Sequence, residues 1–357
     1  MKKSIILLGA TGSIGTQTLE ILEQFPEAFD LVGISGGKQW EKLLDISEKW
    51  NVPFVFCDQP GTKTIPKSLD KSHFFFGEEG LSQIAEKNAD IYVNAISGIA
   101  GVKATEEIIK HHGTNLCLAN KESLVMKGLA IMDTIKNNSI QLFPIDSEHS
   151  SMASLLEKVQ KKRIKKIWLT ASGGPFRDAT QHPLSSFSSL TAKDALHHPT
   201  WTMGPKISVD SATLMNKAFE LIEAVRLFDL PPDIFEVVVH PQSIVHSAIE
   251  TEDGNILMEA SSPNMKLPIA RALFKARGEE VPEEFSISPF SPFGKSLTFE
   301  AVDEERFPSL QLAKKALASG ERACEALLRK NDELVEQFLN GEIFFGDILK
   351  GLTDTNE

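Results

Sequence analysis

The segment that most constrains this chain is Gly9-Ala10-Thr11-Gly12-Ser13-Ile14-Gly15, because it directly follows the apolar run at 5–8 and opens a helical pattern. Glycines at that spacing let the backbone turn sharply and come close to an anion, and a helix N-terminus adds N–H donors with positive dipole character. Strand, glycine turn and helix in that order predict a Rossmann-type dinucleotide site; the plainer reading is a tight structural turn. Further short apolar runs at 31–34, 54–56, 91–94 and 115–118 read as buried strands. They alternate with helical patterns at 16–24, 40–50, 81–87, 102–111 and 123–137, so a parallel sheet covered on both faces is expected. A last apolar run at 140–145 closes this first domain, placed at 1–145.

The end of the second predicted strand bears on cofactor choice. An NAD site places a carboxylate there, whereas this chain has Ser35-Gly36-Gly37-Lys38-Gln39. Small residues with a cation suit a 2′-phosphate, which favours NADPH; alternatively Lys38 is a solvated loop lysine.

From 146 to 277 the pattern changes to α+β. Strand-like runs at 167–170, 237–239, 243–250 and 255–260 surround one long amphipathic helix predicted at 211–228, with Asp210 as its N-cap. Residues 278–299 are rich in Pro, Ser and Phe and read as a linker. Helical patterns at 308–319, 321–339 and 343–349 predict a C-terminal helical domain over 300–357.

Two polar clusters interrupt this apolar framework. Asp146-Ser147-Glu148 lies at a strand end, where the ligands of open α/β sheets collect. In extended chain Asp146 and Glu148 share a side, and two carboxylates held together call for a cation; an acidic N-terminal turn for the next helix explains them equally well. Asn216, Lys217 and Glu220 are spaced i, i+1 and i+4 on a helix. Glu220 would complete an all-oxygen site with Asp146 and Glu148, suited to Mg²⁺ or Mn²⁺ rather than zinc. Ser211, read as the helix start, and Lys217 would hold a phosphate; a surface Lys–Glu pair accounts for Lys217 and Glu220 but not for Ser211 and Asn216. Ser172 in Ala171-Ser172-Gly173-Gly174-Pro175-Phe176 offers a further anion contact. The Pro-bounded stretch 197–205 reads as a lid, in which Trp201 and Met203 would exclude water and His198 would reach the site.

Bulk properties narrow the function class. A net charge of −12 argues against a nucleic-acid partner. No stretch is long enough to span a bilayer, and three scattered cysteines without CxxC spacing fit a reducing, cytoplasmic setting.

Taken together, GATGSIG at 9–15, NAISGIAG at 94–101, LANKESLV at 118–125, IDSEHS at 145–150, TASGGPF at 170–176, HPTWTMG at 198–204, KISVDSATLMNK at 206–217, HPQSIVHS at 240–247 and FPSLQLA at 307–313 closely resemble the 1-deoxy-D-xylulose 5-phosphate reductoisomerase family. The resemblance implies a homodimer with an NADPH domain, a central catalytic domain and C-terminal helices. It implies rearrangement of a small phosphorylated ketose by retro-aldol and aldol steps, then reduction by NADPH, on the non-mevalonate route to isoprenoids. On the matching positions, Asp146, Glu148 and Glu220 would bind Mg²⁺, Mn²⁺ or Co²⁺. Lys121 and Ser147 would contact substrate hydroxyls; Ser172, Ser211, Asn216 and Lys217 would hold the phosphate, with His198 and Trp201 closing over it. Thr11, Gly12, Ser13, Ile14, Gly37, Lys38, Gln39, Asn120, Glu122 and Gly204 would contact NADPH. Gln39 stands where Asn is common in the family and Asn264 where Asp is common, and the chain stops at Glu357, so a shortened helical bundle is expected.

Two rivals remain at this point. A semialdehyde dehydrogenase also opens with a GATG-like turn but needs a thiol nucleophile, and Cys117 falls within a predicted strand. A non-catalytic NADPH sensor would have no use for the three carboxylates.

Overall fold

The computed structural model describes residues 1–196, 203–287, 291 and 293–354. In chain order its first elements are β1 (Lys3–Leu8), α1 (Ser13–Gln24), β2 (Phe29–Gly36), α2 (Trp40–Trp50), β3 (Phe54–Cys57), β4 (Phe74–Phe76), α3 (Gly77–Ala85), β5 (Ile91–Asn94), α4 (Ile99–Ile108), β6 (Asn115–Leu118), α5 (Lys121–Asn137) and β7 (Gln141–Pro144). There follow α6 (Ser147–Leu156), β8 (Ile164–Ala171), α7 (Ala192–Ala195), α8 (Pro205–Ala212), α9 (Met215–Phe228), β9 (Phe235–Val239), β10 (Val245–Thr251), β11 (Ile256–Ala260), α10 (Lys266–Arg277), α11 (Ser309–Ser319), α12 (Glu321–Leu339) and α13 (Phe345–Thr353).

The chain divides into two compact units. The first comprises 1–123, 130–146 and 264–287. Its seven strands are all parallel, in the order β4-β3-β2-β1-β5-β6-β7, so the strand order reverses between β1 and β5. Ile5, Leu7, Ile34, Val55, Ile91 and Val93 are fully buried, as continuous apolar strands in a doubly covered sheet require. In such a sheet ligands bind beyond the carboxyl ends of the strands at the reversal, where Gly9 follows β1.

Sequence reasoning missed two elements here. β4 is only three residues long, and α10 carries Pro268 in its first turn, where the missing N–H costs nothing. The domain boundary expected at 277 places residues 264–277 in the central domain. Instead Ile269, Leu273 and Phe274 join the core of Ile5 and Leu7, and the Phe274 ring packs edge-on against Phe25 and Phe29.

The second unit comprises 124–129, 147–263 and 288–357. Its four-stranded sheet has the order β11-β10-β8-β9, mixed in direction, with β8 and β9 parallel. The C-terminal helices α11, α12 and α13 belong to this same unit rather than standing as a separate domain. They bury Leu328, Phe338, Phe345 and Ile348 completely.

One expected element is wrong in kind. The helix predicted at 211–228 is two helices, α8 and α9, broken at Thr213-Leu214, where Leu214 takes a left-handed conformation (φ 61°). The cause is local: the Thr213 hydroxyl bonds the Val209 and Asp210 carbonyls and accepts the Met215 N–H, competing with the helical ladder. Asp210 is therefore not an N-cap. It lies inside α8, where its carboxylate takes Lys206 Nζ and Asn331 Nδ2, both at 2.7 Å.

Candidate active site

In the first unit the glycine turn is built by contacts within the chain at two positions and left open at a third. A Cβ at Gly9 (φ 87°) would lie 2.6 Å from the Ala95 carbonyl oxygen, and one at Gly15 would lie 2.2 Å from that of Gly9. Gly12 differs: it is exposed, and a Cβ there would meet only the Gly9 oxygen at 3.4 Å. No protein atom among the described residues demands glycine at position 12. Thr11 is buried, Ser13 exposed and Ile14 half-buried at the opening of α1. Gly37, Lys38 and Gln39 are exposed beyond β2, with no carboxylate among them.

Asn120 and Glu122 sit at the start of α5, both buried. Asn120 Nδ2 donates to the carbonyls of Ile96 (2.9 Å) and Gly98 (3.0 Å) and to Glu122 Oε2 (2.8 Å). Its Oδ1 caps the helix by accepting the Ser123 N–H at 3.0 Å. Glu122 Oε1 in turn accepts the Gly98 N–H at 3.1 Å. Both side chains stitch the 96–98 loop to α5. Lys121, between them, places Nζ 3.4 Å from Asp146 Oδ2.

Asp146 is the residue at which the chain leaves the first unit, and α6 begins immediately after it. Glu148 lies in the first turn of α6, not on an extended strand end, so a turn rather than strand alternation brings it near Asp146. The carboxylates of Asp146, Glu148 and Glu220 each offer a ligand atom, and these atoms lie within 4.8 Å of one another. Glu220 is buried on α9, where Asn216 Nδ2 and Lys217 Nζ donate to its two oxygens. Lys217 Nζ also stands 3.6 Å from Glu148 Oε1. Ser147 Oγ donates to Glu148 Oε2 at 2.7 Å. Burial alone would raise the Glu148 carboxyl, but the Lys217 ammonium, then His246 and the Ser147 hydroxyl, hold it well below the usual carboxylate range.

Ser172 and Ser211 are half-buried in the second unit. Ser211 occupies the last turn of α8, not a helix start as expected; the positive helix end in this region belongs to Met215, Asn216 and Lys217 at the start of α9. Gly204 is the cap of α8, its carbonyl accepting Ser208 Oγ at 3.0 Å. His198 and Trp201 lie outside the described residues.

Two histidines were passed over. His246, on β10, places Nδ1 3.9 Å from Glu148 Oε1. His149 is fully buried beside Glu148, with Nε2 3.0 Å from the Glu220 carbonyl and Nδ1 3.4 Å from Glu223. The only signal available was a polar residue at an inward strand position and a Glu-His pair at a helix start. The thiol of Cys117, by contrast, is fully buried on β6, and burial pushes it far above its ordinary value, which removes the nucleophile a semialdehyde dehydrogenase would need.

Comparisons with known proteins identify the family. The family models for 1-deoxy-D-xylulose 5-phosphate reductoisomerase match residues 5–128, and those for its C-terminal domains match 142–228 and 260–357. The 1-deoxy-D-xylulose 5-phosphate reductoisomerase of Aquifex aeolicus is 41% identical over 96% of this chain and 87% of its own length. That of Listeria monocytogenes is 41% identical over 97% and 90%. Among solved structures, the enzyme from Zymomonas mobilis in complex with NADPH superposes with a TM-score of 0.88 at 34% identity, covering 99% of this chain and 91% of that one. A reductoisomerase in complex with NADPH, fosmidomycin and magnesium gives 0.88 at 37%, covering 99% and 90%. With a glycine turn after β1, three converging carboxylates and relatives matching end to end, the chain belongs to the 1-deoxy-D-xylulose 5-phosphate reductoisomerase family.

Proposed function

We propose that this protein converts 1-deoxy-D-xylulose 5-phosphate to 2-C-methyl-D-erythritol 4-phosphate, using NADPH and a divalent cation, in isoprenoid precursor synthesis. The observation that carries the reading is the convergence of Asp146, Glu148 and Glu220. Three carboxylates form an all-oxygen donor set, which fits Mg²⁺, Mn²⁺ or Co²⁺ and leaves positions for substrate oxygens. The open space over Gly12 fits a pyrophosphate, and the carboxylate-free end of β2 with Lys38 fits a 2′-phosphate. When bound, the cation supplies Lewis-acid polarisation of the ketone and the dinucleotide supplies hydride.

The chain's own residues do the rest. Lys121 and Ser147 orient the substrate hydroxyls, and the Lys121 ammonium favours charge developing on an oxygen beside it. Ser172, Ser211, Asn216 and Lys217 bind the phosphate, and that remote grip orients the reacting carbons. Thr11, Gly12, Ser13, Ile14, Gly37, Lys38 and Gln39 receive the cofactor through loop backbone and side chains. Asn120 and Glu122 serve it by fixing the 96–98 loop, and Gly204 adds a contact from the cap of α8. His198 and Trp201 close over the substrate and exclude water.

A homodimer is part of the proposal. β11 is an edge strand with Ile256 (49%) and Met258 (46%) exposed, an apolar edge that a second copy would cover. No helix among the described residues is long and apolar enough to cross a membrane, and the three buried free cysteines support a reducing cytoplasmic setting.

The test is direct. Purified protein incubated with the ketose phosphate, NADPH and Mg²⁺ should consume the reduced-cofactor absorbance, and EDTA should stop it. No loss of absorbance with cation, cofactor and substrate all present would refute the reading.

A further inference from the structure

The two walls of the phosphate site are irregular chain. After β8 the backbone runs from Ser172 through Gly173 (φ 84°) and Gly174 (φ 69°), and no helix or strand begins before residue 184. Gly174 lies so close to α8 that a Cβ there would stand 2.7 Å from the Ser211 carbonyl oxygen. The turn carrying Ser172 is thus laid directly on the helix end carrying Ser211. The second wall is the break between α8 and α9, with its left-handed Leu214.

One short segment, Arg306-Phe307-Pro308-Ser309, holds both walls from behind. The buried Arg306 guanidinium donates to the carbonyls of Arg177 (2.9 Å), His182 (2.7 Å) and Phe176, and lies over the rings of Phe187 (5.3 Å) and Phe307 (5.0 Å). Three residues on, the fully buried Ser309 Oγ donates to the Thr213 carbonyl at 2.7 Å, at the helix break itself. Desolvating a guanidinium is costly, and an apolar side chain would fill the same volume without that cost. What the planar fork adds is a fixed direction for three carbonyls of one loop. Such directional control matters most where neighbouring groups must meet a ligand to within a fraction of an ångström.

We propose that Arg306 and Ser309 are positioning residues, a clip that sets the spacing of the two phosphate-binding walls and so the affinity for the phosphorylated end of the substrate, without touching it. The inference rests on the reading that Ser172, Ser211, Asn216 and Lys217 hold the phosphate.

The test uses the full chain carrying Arg306→Lys or Ser309→Ala, with Mg²⁺ and NADPH present, and calorimetry on two probes. One is a hydroxamate joined to a phosphonate by a short spacer, and the other is acetohydroxamate, which lacks the phosphonate. In each variant the phosphonate probe should weaken about tenfold while acetohydroxamate binding holds within about twofold. KM for the ketose phosphate should rise in parallel, with kcat held within about threefold and NADPH affinity unchanged. Equal weakening of both probes, or an unchanged phosphonate probe in Ser309→Ala, overturns the clip alone. If Arg306→Lys fails to fold, Ser309→Ala, which deletes a single oxygen, decides the matter. An unsubstituted protein that binds the two probes equally would bring down the phosphate reading and the clip together.

Discussion

Removing the Lys217 ammonium should expose how much the acidic cluster depends on it. Lys217 pairs with Glu220 and stands 3.6 Å from Glu148 Oε1, with its side chain only 6% exposed. At an effective dielectric near 20, a pair at 3.6 Å is worth about 4.6 kcal/mol, and two carboxylates no more than 4.8 Å apart repel by at least about 3.5 kcal/mol. Lys217→Met keeps the stem volume and deletes the charge. Relaxation and water entry absorb part of the difference, so a loss of about 3–5 kcal/mol is expected, the usual cost of breaking a buried pair from one side. For a unit of this size that is a fall of roughly 6–20 °C in Tm, read by calorimetry in EDTA. Lys217→Arg, which keeps the charge, should lose much less. Mg²⁺ should then raise the Tm of Lys217→Met by more than it raises that of the parent, because the cation no longer competes with an ammonium for Glu220. A variant melting within about 2 °C of the parent in EDTA, or gaining no more from Mg²⁺, would refute the charge argument.

Asp146→Asn should abolish cation-dependent turnover while leaving NADPH binding, followed by fluorescence, largely intact; loss of both together would show that the cluster organises the fold rather than the chemistry. Gly15→Ala places a Cβ 2.2 Å from the Gly9 oxygen and should eliminate NADPH binding, so undiminished affinity in a binding titration would contradict the turn geometry. Cys117→Ser should leave kcat/KM nearly unchanged, whereas a hundredfold loss would revive a thiol mechanism. Tyr92, the chain's one tyrosine, has its phenol pushed up to about 12 by burial. Its folded value lies above the unfolded one, so the associated stability is complete below about pH 10 and lost as pH rises towards 12. Phenolate absorbance developing fully near pH 10 in folded protein would disprove that burial argument.

The sequence made the first unit legible because its strands are doubly covered and leave unbroken apolar runs such as Ile5-Ile6-Leu7-Leu8, punctuated by glycine. β4 escaped because three residues hold no period, and α10 because its place in the first unit's core depends on partners some 260 positions away, Ile5 and Leu7. The carboxylates were legible because a charged residue in an apolar setting demands a partner, and Glu220 proved to be buried beside Lys217. His149 and His246 were not, since a buried histidine looks the same in sequence whether it packs or supports a ligand.

The break at Leu214 shows why the remaining error mattered. In one continuous helix, at about 100° per residue, Ser211 would face about 140° away from Asn216 and about 120° away from Lys217. Three groups so disposed cannot grip one phosphate, so a single helix and a shared phosphate site were incompatible expectations. Thr213, by bonding back to Val209 and Asp210, ends α8 and lets α9 start afresh with a different orientation about its axis. A leucine in a left-handed conformation is strained, and strain of that kind persists only where the surroundings enforce it. Here the Ser309 hydroxyl on the Thr213 carbonyl is part of that enforcement. Breaking the helix at Thr213-Leu214 thus removes that incompatibility, which the proposed sharing of one phosphate by Ser211, Asn216 and Lys217 requires.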